Sequence, residues 1–133
     1  MGLVVGVLLA FAVGLFATGI GLDRDRAFYP VVTIVIASYY VLFAVMGAST
    51  HAILLESLVG TVFLAAAILG FKSSLWFVVA ALVAHGIFDF GRGTVISNPG
   101  VPGWWPQFCL MYDVTLAAYL AWLLRTGRLR AEA

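Results

Sequence analysis

The chain has 133 residues, of which 64% are apolar and 10% charged, with a formal net charge of +1. A water-soluble domain carries about 25% charged residues, so this composition, with its mean hydropathy of +1.12, points to a membrane chain. The near-zero net charge leaves no basic face for nucleic acid, and the single cysteine, Cys109, excludes an internal disulfide and a multi-cysteine zinc site.

The expected fold class is an all-α integral membrane protein, a five-transmembrane-helix bundle forming one membrane domain over residues 1–133. The first helix is expected over about 2–22. No Lys or Arg precedes its apolar run, which at about 20 residues exceeds a signal-peptide core, so it reads as a retained membrane helix. Gly2, Gly6, Ala10, Gly14 and Thr18 recur every four residues, a small-residue stripe that admits another helix closely. Homo-oligomer formation through that stripe, or membership of a larger membrane complex, is the partner expectation beside membrane lipids. Asp23-Arg24-Asp25-Arg26 reads as a water-facing turn.

The second helix is expected over about 30–47, with Pro30 in its first turn, where a missing N–H costs nothing. Tyr39 and Tyr40 fall mid-helix, and a buried tyrosine hydroxyl seeks a partner. The third, about 51–71, follows a short turn in which Ser49 or Thr50 can cap it. Its Glu56 shares a face with Gly60, Phe63 and Ala67, and that face must look into protein, because lipid does not tolerate a carboxylate. The fourth, about 74–92, places His85, Asp89 and Arg92 at i, i+4 and i+7 on one stripe. An outer loop over about 93–106 has turn chemistry at Pro99-Gly100 and carries Trp104 and Trp105, which suit a membrane interface. The fifth helix, about 107–124, has Cys109 four residues before Asp113 on the same face and Tyr112 on a neighbouring stripe. A basic tail, 125–133, is expected to fray.

Five crossings divide the basic residues sharply. Arg24, Arg26, Lys72, Arg125, Arg128 and Arg130 fall on one side and only Arg92 on the other. The positive-inside rule then places the N-terminus outside and the C-terminus in the cytoplasm, in a bacterial-type inner (plasma) membrane. With this topology Glu56, His85 and Asp113 reach one level of the outer leaflet, roughly 9 Å below their helix ends at the α-helical rise.

Carboxylates inside a membrane are costly and mark function. Glu56, His85 and Asp113 are therefore the candidate catalytic residues, with His51, Asp89, Arg92, Cys109 and Tyr112 as secondary candidates. His85, Asp89, Glu56 and Asp113 are also the candidate ligands of a divalent transition metal, Zn, Fe or Mn, because imidazole plus carboxylate suits these ions. Acid–base chemistry is the alternative use of the same groups. Blander readings stand beside these: Asp89 pairing with Arg92 across one turn, Asp113 capping loop backbone or bonding a tyrosine, Cys109 as a packing residue, His51 facing water. His51 also lies about 140° around the helix from Glu56. Three functions remain open: an intramembrane enzyme acting on an apolar or lipid-like substrate, a carrier of protons, metal ions or small solutes, and an accessory subunit of a larger membrane complex.

Overall fold

Apolar runs of this length satisfy their own backbone as helices, and local chemistry decides where each run stops. A computed structural model describes all 133 residues. Its helices are α1 (Gly2–Ile20), α2 (Phe28–Met46), α3 (Thr50–Lys72), α4 (Trp76–Gly91) and α5 (Trp105–Arg125), with a single 3₁₀ turn at Arg92–Thr94 after α4. There are no strands, only an isolated bridge between Ser74 and Glu132. All five helical segments are long and apolar enough to cross a membrane.

The helix ends differ from expectation by a few residues, for visible reasons. Gly21 adopts the left-handed conformation at φ 84° and its N–H returns to Ala17 O, which closes α1 at Ile20. Ser49 Oγ accepts from Ala52 N, so α3 begins at Thr50. Pro30 is the third residue of α2, still within the turn whose N–H groups lack helical acceptors. α5 starts at Trp105, with Pro106 inside its first turn.

The helices pack in the order α1, α5, α4, α3, α2, and α2 also touches α4. α5 is thus the shared wall between α1 and α4. The small-residue stripe of α1 is consumed inside the chain. A Cβ added at Gly6 would stand 2.5 Å from the Phe108 carbonyl oxygen, and one at Gly14 would stand 2.7 Å from the Tyr119 ring. Gly2, Gly6, Ala10 and Gly14 thereby seat α1 on α5 within one chain. α1 and α2 are consecutive in sequence yet do not form a packed pair, and a cleft opens between them.

Leu75, Leu82, Leu116, Leu120 and Leu123 fill the seam of α4 and α5 without measurable gaps to solvent. The outward faces are equally apolar. Leu8, Phe16, Leu54, Leu58, Val62, Ile87 and Phe90 are all more than half exposed, far more than a water-soluble monomer leaves open in one belt.

The two ends of the bundle are chemically unlike. At one end Arg26, held at a positive φ, donates to the carbonyls of Phe71 (3.1 Å), Arg130 (2.7 Å) and Ala131. Leu75 N donates to Ala131 O and Ala133 N to Ser73 O, and Leu129 is buried. The C-terminal tail is therefore pinned rather than frayed, because Arg26 supplies donors for carbonyls a loose tail would give to water. Asp23, read as water-facing, is also buried, and accepts hydrogen bonds from Thr18 (2.8 Å) and Tyr29 (3.1 Å). The opposite end carries the 93–106 connector and Arg92. Six of the seven basic residues belong to the first end and one to the second.

Candidate functional site

Five acidic and basic side chains of the connector-side half are buried, each no more than 3% exposed: Glu56, His85, Asp89, Arg92 and Asp113. They form two separate clusters.

The first joins α4 to α5. His85 and Asp89 are one turn apart on α4, and Asp113 comes from α5. Gly86 makes the meeting possible: a Cβ there would stand 3.2 Å from Leu110 O and 3.4 Å from Asp113 Cβ, so its absence lets the two backbones approach. His85 Nδ1 donates to Asp113 Oδ2 at 2.7 Å and lies 3.3 Å from Asp89 Oδ2. With Nδ1 committed to Asp113, both Asp89 oxygens and Asp113 Oδ1 are buried without a hydrogen-bond partner. Such orphans are rare and call for a proton, an ion or water at the site. The Phe63 ring packs edge-on against His85 at 4.7 Å, and Tyr40 lies 6.0 Å away on another side. The nitrogen of His85 and one oxygen from each aspartate all lie within 4.8 Å of one another, close enough to hold one metal ion.

The second cluster ties α3, the 3₁₀ turn and the connector together. Arg92 forms an ion pair with Glu56, and its guanidinium lies 3.8 Å over the Tyr40 ring. Asn98 Nδ2 donates to Glu56 Oε1 and to the Tyr40 carbonyl, both at 3.0 Å, while Asn98 Oδ1 accepts from Gly100 N at 3.2 Å. The connector is thereby anchored onto α2 and α3.

Several expectations change. His85 and Asp113 do meet, but Glu56 is drawn off by Arg92 and does not share their donor set, so it leaves the candidate metal ligands. Asp89 lies with His85 and Asp113, as in the candidate ligand set, and the blander pairing with Arg92 gives way because Arg92 reaches Glu56 on α3. His51 is exposed in the first turn of α3 and is not among the grouped donor atoms. Cys109 is buried but is not among the grouped donor atoms. Tyr112 is buried and stacked on Phe108. Asn98 was not anticipated at all. Its Asn-Pro-Gly setting reads as a turn, and nothing local reports a bond to a side chain 42 positions away.

The cleft between α1 and α2 has a volume of about 480 Å³ and is lined only by apolar and aromatic residues. Val5 and Leu9 form one side, Val35 and Tyr39 the other, and Cys109 and Tyr112 of α5 lie at its back. Cys109 is one turn before Asp113 on the same face of α5, and His85, Asp89 and Asp113 do not themselves line the cleft. Trp105 closes the connector end, packed against Phe43 and Tyr39 at 4.9 and 5.3 Å. A smaller polar recess of about 280 Å³, lined by Arg92, Ser97, Asn98 and Pro106, opens beside the connector.

No family model matches the chain, and no curated protein or solved structure matches it.

Proposed function

We propose that the chain is an integral membrane protein crossing the bilayer five times and acting as a small intramembrane enzyme on a lipid-like substrate. The apolar belt would face acyl chains. The end with six basic residues would be cytoplasmic, placing the N-terminus and the connector outside, in a bacterial-type inner membrane.

The observation that carries the enzyme reading is a buried His–Asp–Asp cluster with free carboxylate oxygens, one helical turn along α5 from Cys109 at the back of an apolar side cleft. An acyl chain would enter between α1 and α2 and bring its polar end toward Cys109 and Tyr112. His85 is oriented through Nδ1 by Asp113, which leaves Nε2 as the ring nitrogen free to engage a proton or an ion. The Tyr40 hydroxyl and the Trp105 indole N–H are buried without protein partners, which leaves two donors for a bound polar group. A carrier would need a polar route to the other end. Leu82, Leu116 and Leu120 fill that route completely, which counts against transport through one subunit. The accessory-subunit reading loses its main support, since the α1 stripe is already covered by α5.

The test is a comparison of lipid extracts from membranes carrying the wild-type chain, His85→Ala or Asp113→Asn. We expect at least one lipid species to fall and a product to rise with the wild type alone. Indistinguishable lipid profiles across all three would overturn the enzyme reading.

A further inference from the structure

We infer that His85, Asp89 and Asp113 hold one divalent transition metal ion, and that this ion is the resident cofactor of the proposed enzyme. The inference rests on the reading of this cluster as the reaction centre, and it narrows the ligands to three.

The charge balance comes first. Two carboxylates are buried beside one imidazole. No other cation faces them. α2 presents Tyr40, α3 presents Phe63, and the nearest base, Arg92, is engaged by Glu56. A buried charge without a partner is too costly to persist, so the cluster is completed by protons or by a cation. In the structure three of the four carboxylate oxygens make no hydrogen bond. A metal ion engages them directly.

The geometry comes next. Asp89 is 1% exposed and both its oxygens are unpartnered, while Asp113 spends Oδ2 on His85 and keeps Oδ1 free. One ligand atom from each residue lies within 4.8 Å of the others, near enough for small side-chain shifts to bring all three onto a single ion. The donor chemistry selects the metal. One nitrogen and two carboxylate oxygens suit Zn²⁺, Fe²⁺ or Mn²⁺. Ca²⁺ takes about six to eight oxygen ligands, which this site does not supply. Three protein ligands also leave a position open for substrate or water, as catalytic zinc sites do.

The decisive experiment uses the purified full chain in detergent, stripped with chelator and titrated with Co²⁺ and then Zn²⁺, followed by calorimetry and by the visible spectrum of bound Co²⁺. The expected result is one ion per chain. Asp89→Asn and Asp113→Asn, each checked for native helical content by circular dichroism, should weaken binding at least about tenfold, the usual effect of losing part of a metal's ligand environment. His51→Ala should bind as the wild type does. Absence of binding, binding unchanged in both aspartate variants, or binding lost in His51→Ala would each overturn the inference. Lipid conversion that persists in chelator would remove the metal and leave the enzyme reading standing. Stoichiometric metal binding without any lipid conversion would do the reverse.

Discussion

Replacing Glu56 by alanine should lower the unfolding free energy by about 3–5 kcal/mol, the range found when one partner of a buried ion pair is removed. The reason is what remains behind. Arg92 is 3% exposed and would keep its charge with only the Tyr40 ring facing it. Asn98 would lose one of its two acceptors, and the connector one of its anchors. The measurement is unfolding of the purified protein in mixed micelles, followed by circular dichroism. A double replacement, Glu56→Leu with Arg92→Met, removes both charges together and should recover most of the loss, because apolar residues of similar size often replace a buried pair at little cost. If the single variant unfolds within about 1 kcal/mol of the wild type, the pair behaves as an exposed one and its structural role is wrong.

The second large effect is expected at Gly100. A Cβ there would overlap the Phe43 carbonyl oxygen at the end of α2, and Gly47 N lies 3.0 Å away on the same side. Both obstacles are backbone, so no side-chain rotation relieves the collision. Gly100→Ala should therefore lift the connector from α2, with a stability loss of about 1–3 kcal/mol as for other overpacked sites. Asn98 sits two residues away and bonds Gly100 N, so its contacts with Glu56 and the Tyr40 carbonyl should loosen together. Limited proteolysis reports this directly: cleavage within 93–106 should accelerate in Gly100→Ala. Gly103→Ala is the control, because a Cβ at Gly103 meets nothing within 4 Å. Equal cleavage of the two variants would show that the connector does not rest on α2 through Gly100.

Much of the fold was legible because hydropathy and charge are properties of consecutive residues. The five apolar runs became the five helices, and the unequal division of basic residues follows from where those runs end. The ends themselves shifted with local features, such as the left-handed Gly21 and the entry of α5 at Trp105, one residue before Pro106. What stayed hidden was the pairing of helices distant in sequence. The α1 stripe announced a close neighbour without saying that the neighbour is α5. The cleft between α1 and α2 exists because two consecutive helices fail to pack, which no periodicity reports.

The site divides along the same line. Depth along a helix can be counted, and it brought Glu56, His85 and Asp113 to one level. Direction around the bundle cannot be counted, so Glu56 was placed with His85 when it faces Arg92 across the Tyr40 ring. Asp89 has two readings on spacing alone, a ligand beside His85 or a partner for Arg92, and the structure sets it beside His85 while Arg92 reaches Glu56. The bonds of Asn98 and the Arg26 clasp on the tail depend on contacts 42 to 105 positions apart, beyond the reach of local pattern.

The two clusters should also respond oppositely to loss of charge. Glu56 is paired, so its carboxylate holds the fold together. Asp89 is buried with no hydrogen bond to either oxygen, so on the proposed reading its carboxylate adds nothing to stability. The most direct measurement is the unfolding midpoint of Asp89→Asn beside the wild type, both with chelator present so that no metal contributes. The expected midpoint is equal to or above that of the wild type, since the amide fills the same volume without a buried charge. A fall as large as that of Glu56→Ala would make Asp89 a structural group and contradict the assignment of His85, Asp89 and Asp113 as the reaction centre.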